Sequence, residues 1–133
     1  MVFKNLSKKK IYMKSYKLSF GTISIIKSNL AEVIVDEGVE MNEIMVDEYH
    51  DFLLNNLSPP ILLLVNKKNS YSYTFGAQTS IVDLKEIKSM AVLIGTNGGL
   101  MSTETLIDIN KDKEWNIKLF QNRDQALAWL DTQ

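Results

Sequence analysis

The sequence has no cysteine, one histidine and two prolines among its 133 residues. Without cysteine the chain has no disulfide, no thiolate metal ligand and no cysteine nucleophile. A single histidine leaves little from which to build a metal site or a catalytic triad. These absences exclude several classes of enzyme and metalloprotein. They also fit a reducing compartment, so we expect a cytoplasmic protein.

Long apolar runs and a strong net charge are missing as well. The most apolar uninterrupted segment, residues 61–65 (ILLLV), is far shorter than the roughly 20 residues of a membrane-spanning helix. The formal net charge is −1, which provides no general electrostatic attraction to nucleic acid. We therefore expect no membrane span and no nucleic-acid partner.

Positive charge is concentrated at the N-terminus. Residues 1–17 contain six lysines and no acid, which leaves nine basic against sixteen acidic residues, a net of −7, in residues 18–133. No apolar stretch follows that would make the basic segment a secretory signal. We expect residues 1–14 to be a disordered basic extension and residues 15–133 to form one domain. A polyanion-binding arm, or a natural start at Met13, are the alternative interpretations.

The first half of the chain predicts a hairpin followed by a helix. Residues 16–27 alternate and are β-branched, and residues 30–36 repeat the pattern after a Ser-Asn turn, which favours an antiparallel pair. Gly21 predicts a bulge or a close backbone contact. Residues 41–56 place apolar side chains on one helical face, and Asn42 is the expected N-cap.

The second half predicts repeated β–α units. The uniformly apolar segment 61–65 is typical of a strand buried on both faces of a parallel sheet. Ser80 and Asp83 resemble a capping box and predict a helix over 80–89. The remaining predicted elements are strands at 91–95 and 115–120, a helix near 100–109, and a last helix capped by Asn122. We expect an α/β fold with a mixed sheet of four to five strands, in which an N-terminal antiparallel hairpin precedes parallel units, covered by about four helices.

Three features carry a family resemblance: the β–α order, the buried segment 61–65, and the ending Phe120-x-x-Arg123-x-x-Ala126-Leu127-x-Trp129-Leu130. In these features residues 16–132 resemble the STAS-like, SpoIIAA-like domains, and in particular small bacterial members of unknown function. The resemblance implies a SpoIIAA-like fold. It also implies a non-enzymatic regulatory or protein-interaction role.

Members of the STAS family that antagonise anti-sigma factors have a phosphorylatable serine in an Asp-Ser-Ser-Gly-like context after the third strand. The corresponding segment here, 71–80 (YSYTFGAQTS), lacks that motif. Ser80 is the candidate phosphorylation residue by position. A helix-capping role explains it better.

One helix carries the only constellation that resembles a catalytic or metal site. Asp47, His50 and Asp51 lie at helical spacing, as a base with an orienting carboxylate or a set of metal ligands would. No nucleophile accompanies them, and a solvated acidic helix face is the simpler explanation. We expect no catalytic residue, no metal and no cofactor.

Two connections lie where α/β proteins bind ligands, at the carboxyl ends of parallel strands. The first connection is residues 71–78. Its alternating pattern predicts an extended segment with its aromatic rings on one side, where the rings pack on the core, extend the sheet or line a pocket. The second is a glycine-rich loop before a helix, whose amides suit an anion but match no nucleotide-binding motif. The candidate ligand-binding residues of the two connections are Tyr71, Tyr73, Phe75, Thr96, Asn97 and Gly98.

Two functions of different class follow. A protein-interaction domain predicts a flat or edge-strand surface that binds a protein partner or a second copy of the chain. A binder of a small apolar ligand or lipid predicts a cavity of a few hundred Å³ near residues 71–78 and 96–99, with Tyr73 or Phe75 in its wall. An enzyme would need a polar cluster with perturbed pKa values in a cleft, and the sequence offers none beyond the His50 helix.

Overall fold

The computed structural model describes residues 13–133, so the predictions for residues 1–12 lie outside the described part of the chain. Eight strands run along it: β1 Lys14–Lys17, β2 Gly21–Lys27, β3 Leu30–Val35, β4 Glu40–Met41, β5 Ile61–Lys67, β6 Ser72–Tyr73, β7 Ile87–Ile94 and β8 Asn116–Phe120. The helices are α1 Glu43–Asn56, α2 Phe75–Ser80, α3 Asn97–Ile109 and α4 Arg123–Asp131.

A six-stranded mixed sheet in the order β1-β2-β3-β5-β7-β8 forms the centre of the domain. The pairs β1–β2 and β2–β3 are antiparallel, and the pairs β3–β5, β5–β7 and β7–β8 are parallel. The predicted α/β architecture, with an N-terminal antiparallel hairpin, later parallel strands and four helices, is confirmed. A separate two-stranded parallel sheet, β4 with β6, was not predicted.

The sheet has six strands because residues 16–27 form two strands, where the sequence pattern predicted one. The chain reverses after β1, where the Leu18 amide donates to the Gly21 carbonyl at 2.7 Å and the Phe20 side chain is fully buried. Gly21 allows the close approach that the sequence predicted, because a Cβ there would overlap the Ile34 carbonyl oxygen. The register shift lies farther along β2, between Ile25 and Lys27.

The predicted double-sided burial of residues 61–65 is confirmed. The segment forms most of β5, all five of its side chains are buried, and β5 is flanked by β3 and β7. Helix α1 is also confirmed, since the Asn42 side-chain oxygen accepts from the Met45 amide at 2.9 Å. Its buried face consists of Val46, Tyr49 and Leu53.

The predicted helix over 80–89 is wrong. The Thr74 side chain accepts from the Ala77 amide, so α2 begins at Phe75 and ends at Ser80. The apolar residues assigned to the later helix, Ile81 and Leu84, instead pack against the core from non-helical turns. Strand β7 begins at Ile87 and is therefore longer than the predicted 91–95 segment. The thirteen-residue α3 likewise begins earlier than predicted, at Asn97.

The two faces of the large sheet are covered differently. Helices α1 and α2 contribute Val46, Tyr49 and Ala77 to the larger apolar cluster. Helix α4 packs Ala126 and Leu130 against the other face. No helix in the described part of the chain combines the length and apolarity needed to cross a membrane.

Candidate functional site

Two tyrosines, Tyr71 and Tyr73, lie over the end of β5 at the carboxyl edge of the parallel strands. The short sheet fixes them, because the Ser72 amide donates to the Val39 carbonyl and the Thr74 amide donates to the Met41 carbonyl, at 3.0 and 2.8 Å. The rings of Tyr71 and Tyr73 pack edge to face, with centroids 5.6 Å apart. Both rings are half-buried and contact the main core.

Lys67, the last residue of β5, lies beneath these two rings and is only 2% exposed. Its ammonium donates to the Tyr73 hydroxyl at 3.2 Å. The same nitrogen is 4.8 Å from the ring centroid of Tyr71 and 5.1 Å from that of Tyr73. Within residues 13–133 the four ion pairs involve other residues, so Lys67 has no carboxylate partner there. Lys67 thus occupies an environment that normally excludes an isolated cation.

Sequence reasoning missed Lys67, because its segment resembled a polar loop. One signal was available: Lys67 continues the apolar strand by two residues, and strand alternation places it on the same face as Leu63 and Val65. Both of these residues are buried in the main core.

An apolar cavity of about 30 Å³ adjoins Lys67 between the sheet and the helices. Its wall includes Phe20, Tyr49, Tyr71, Tyr73, Met90 and Thr103. A space of this size holds about two water molecules. The predicted participation of Tyr73 agrees with this arrangement, but the cavity is about ten times smaller than the few hundred Å³ expected of a ligand pocket.

Two hydroxyls of this region are held in the protonated form. Burial raises the pKa of Tyr49, and the neighbouring Tyr73 raises it further. Burial also raises the pKa of Tyr71 well above its usual value, and Tyr73 again adds to the effect. The Tyr73 hydroxyl donates to that of Tyr71 at 3.4 Å. Tyr49 and Tyr71 therefore supply no negative charge to pair with the lysine.

A second pocket, of about 140 Å³ and polar, lies between the two connections singled out from the sequence. We call it the polar pocket; its lining residues are Lys67, Asn69, Ser70, Tyr71, Gly98, Gly99 and Ser102. Tyr71 and Gly98, two of the candidate ligand-binding residues, thus line the same pocket, and ligand binding by them stays a prediction. The Thr96 hydroxyl accepts from the Gly99 amide at 2.9 Å and caps α3. Asn97 is exposed and is not among the lining residues.

Phe75 and Ser80 lie apart from this group. Phe75 is 86% exposed, because the extended segment gives way to α2 at Thr74 and the alternation stops there. Ser80 ends α2, so the predicted N-capping role is wrong. Its hydroxyl is enclosed and has no hydrogen-bond partner within the described residues. Phosphorylation of Ser80 stays a prediction, and it requires this helix end to open.

The single histidine is engaged by the backbone. His50 donates from Nε2 to the Ile81 carbonyl at 3.1 Å, and its ring centroid is 5.2 Å from that of Tyr49. Asp47 is exposed on the same helix. Among residues 13–133 no group of three or more histidine and acidic side chains has the geometry to hold a metal ion.

The three most exposed large apolar side chains among residues 13–133 are Ile44 (80% exposed), Phe75 (86%) and Met101 (68%). We call them the apolar rim. Ile44 and Phe75 lie on the first turns of α1 and α2, and Met101 is the fifth residue of α3. Each of these helices follows a strand of a parallel pair: β4 and β6 of the small sheet precede α1 and α2, and β7 of the large sheet precedes α3.

Comparison with known proteins supports the fold alone. A solved structure, an uncharacterised protein of the DUF3478 family with a SpoIIAA-like fold from Shewanella loihica, is similar to 89% of this chain over 91% of its own, with a TM-score of 0.51 and 16% sequence identity. No family model matches the sequence, and no curated protein matches it. The chain therefore has a SpoIIAA-like fold, which by itself does not specify a function.

Proposed function

We propose that this chain is a non-enzymatic protein-interaction domain whose partner docks on the apolar rim. The observation that supports the proposal is the exposure of Ile44, Phe75 and Met101 near the N-termini of three helices. Removing a large apolar side chain from water contributes about 1.5–3 kcal/mol. Three such side chains can therefore form the central cluster of an interface, with polar neighbours as its surround.

The charges around the rim indicate the chemistry of the partner. Glu40, Glu43 and Asp47 are exposed next to Ile44. An isologous contact through this surface would bring the acids of two copies of the chain together, which electrostatic repulsion disfavours. The proposed partner is therefore a different protein that presents an apolar patch bordered by basic residues.

The absence of catalysis is part of the proposal. It is supported by His50, whose Nε2 is occupied by a backbone carbonyl. The alternative function, binding of a small apolar ligand or lipid, is less well supported. A cavity of about 30 Å³ would have to expand severalfold to accept such a molecule.

Site-specific photocrosslinking in cells of the source organism tests the proposal. A photoreactive amino acid replaces Phe75 in one variant and Gln125, exposed on α4 at the opposite face, in the control. We expect a discrete adduct with another protein from position 75 that weakens when Ile44→Ser and Met101→Ser are added. The control position should not give this adduct.

Three outcomes would contradict the proposal. The same adducts from both positions would indicate non-specific contact. An adduct that survives the two serine substitutions would exclude the rim as the docking surface. An adduct of two copies of this chain would exclude the foreign, basic-bordered partner.

A further inference from the structure

The buried ammonium of Lys67 has fewer partners than its chemistry requires. A lysine ammonium has three N–H donors, and within residues 13–133 one hydrogen bond is formed, to the Tyr73 hydroxyl. The faces of Tyr71 and Tyr73 attract the cation and offset part of its desolvation. Neutral rings do not supply the negative charge that buried cations usually pair with. Two donors and one unit of positive charge are left for a group from outside the described chain.

The surroundings of Lys67 also provide an approach from solvent. Lys67 lines both the apolar cavity and the polar pocket. Gly98 and Gly99 form the opposite wall, at the N-terminus of the thirteen-residue α3. The Thr96 side chain accepts from the Gly99 amide. The Gly98 amide also lies in the first turn of α3 and has no intrahelical acceptor. Lys67 and the positive end of α3 thus line the same pocket.

We propose that the polar pocket binds the carboxylate of a small organic acid, with Lys67 as its counter-ion. A monoanion neutralises the single buried cation, whereas a phosphate dianion would leave excess negative charge beside an apolar cavity. The volume of about 140 Å³ limits the ligand to a small acid. Ser70 also lines this wall and offers a hydroxyl, whereas the Ser102 hydroxyl already donates to the Gly99 carbonyl. This site does not depend on the docking proposal, because no apolar-rim residue lines the polar pocket.

The test follows the Lys67 ammonium directly in the whole protein. Lysine labelled with ¹⁵N gives an Nζ signal that is assigned by its loss in Lys67→Met. The wild-type protein is titrated with sodium propionate, and separately with sodium chloride and sodium phosphate at matched ionic strength. We expect a saturable shift of the Lys67 signal with propionate alone.

Two variants separate the site from general charge effects. Lys67→Met removes the ammonium and keeps the apolar stem, while Lys68→Met removes the same charge from the adjacent exposed position. Loss of a charge-assisted contact should weaken propionate binding about tenfold or more in Lys67→Met, measured by calorimetry. Lys68→Met should bind as the wild type does.

Several results would overturn the inference. Absence of a saturable shift of any lysine Nζ signal with propionate would do so from the wild-type protein alone, even if Lys67→Met failed to fold. Equal binding by Lys67→Met would remove the lysine from the site. Phosphate binding as tight as propionate binding would refute the assignment to monocarboxylates.

Discussion

The ion pair between Arg123 and Glu32 provides a quantitative test of how α4 is attached to the sheet. Glu32 lies on β3 and is buried, and its carboxylate accepts from Arg123 at 2.6 Å and from Asn66 at 3.0 Å. Arg123 is the first residue of α4, so this pair joins the last helix to a strand more than 90 positions earlier in the chain. Arg123→Met keeps much of the side-chain volume and removes the charge.

The expected loss follows from the burial of the two partners. Breaking a fully buried pair costs about 3–5 kcal/mol, because an uncompensated charge stays behind. The Arg123 side chain is 42% exposed, so water screens the pair, and Asn66 continues to donate to the carboxylate. We therefore expect Arg123→Met to lower the free energy of unfolding by about 2 kcal/mol. For a domain of this size that corresponds to a Tm about 8 °C lower.

Urea unfolding monitored by far-UV circular dichroism measures this loss. Lys27→Met is the matched control, because its partner Asp131 and Lys27 itself are both more than half exposed. The control should change stability by less than about 0.5 kcal/mol. A Glu32→Gln background should reduce the cost of Arg123→Met, because no charge is then left unpaired. Equal costs for Arg123→Met and Lys27→Met would refute the structural role assigned to the pair.

Two further predictions concern pH and backbone packing. Burial raises the pKa of Tyr49 and Tyr71, so the unfolded chain releases these protons at a lower pH than the folded protein does. The contribution of Tyr49 is complete below a pH of about 10, and above it stability falls by about 1.4 kcal/mol per pH unit, with a further loss from the half-buried Tyr71; urea midpoints that stay constant up to pH 11 would contradict this. Gly21→Ala places a methyl group against the Ile34 carbonyl and should cost about 1–3 kcal/mol. Gly98→Ala, where no atom lies closer than 3.9 Å, should be neutral or slightly stabilising in the same assay.

The fold could be predicted from the sequence where one physical signal dominates a segment. The uniform apolarity of residues 61–65 identified the central strand, and the Asn42 cap located the start of α1. The prediction failed where two capping signals compete. Thr74 and Ser80 both precede plausible helices, and only the three-dimensional contacts of Ile81 show that the earlier cap is the one used.

The candidate site was predicted less completely, because its central residue carries no local signal. Tyr71 and Gly98 were expected from their positions after parallel strands, and both line the polar pocket. Lys67 becomes conspicuous only when the structure shows that it is buried beneath two tyrosine rings. Phe75 was grouped with these tyrosines by alternation, but the start of α2 turns it outward.

A short segment of the chain connects the polar pocket to the apolar rim, so ligand binding at the pocket and partner binding at the rim can be coupled. Tyr73 accepts the Lys67 hydrogen bond, and Phe75 begins the helix two residues later. An acid that binds the two remaining donors of Lys67 draws the ammonium toward itself and weakens its hydrogen bond to Tyr73, so its occupancy can alter the start of α2. By thermodynamic linkage, a ligand that changes the affinity of the chain for its partner has its own affinity changed by the partner by the same factor. Propionate should therefore change the yield of the crosslink from position 75 in the wild type and not in Lys67→Met; unchanged yields in both would mean that the two sites act independently.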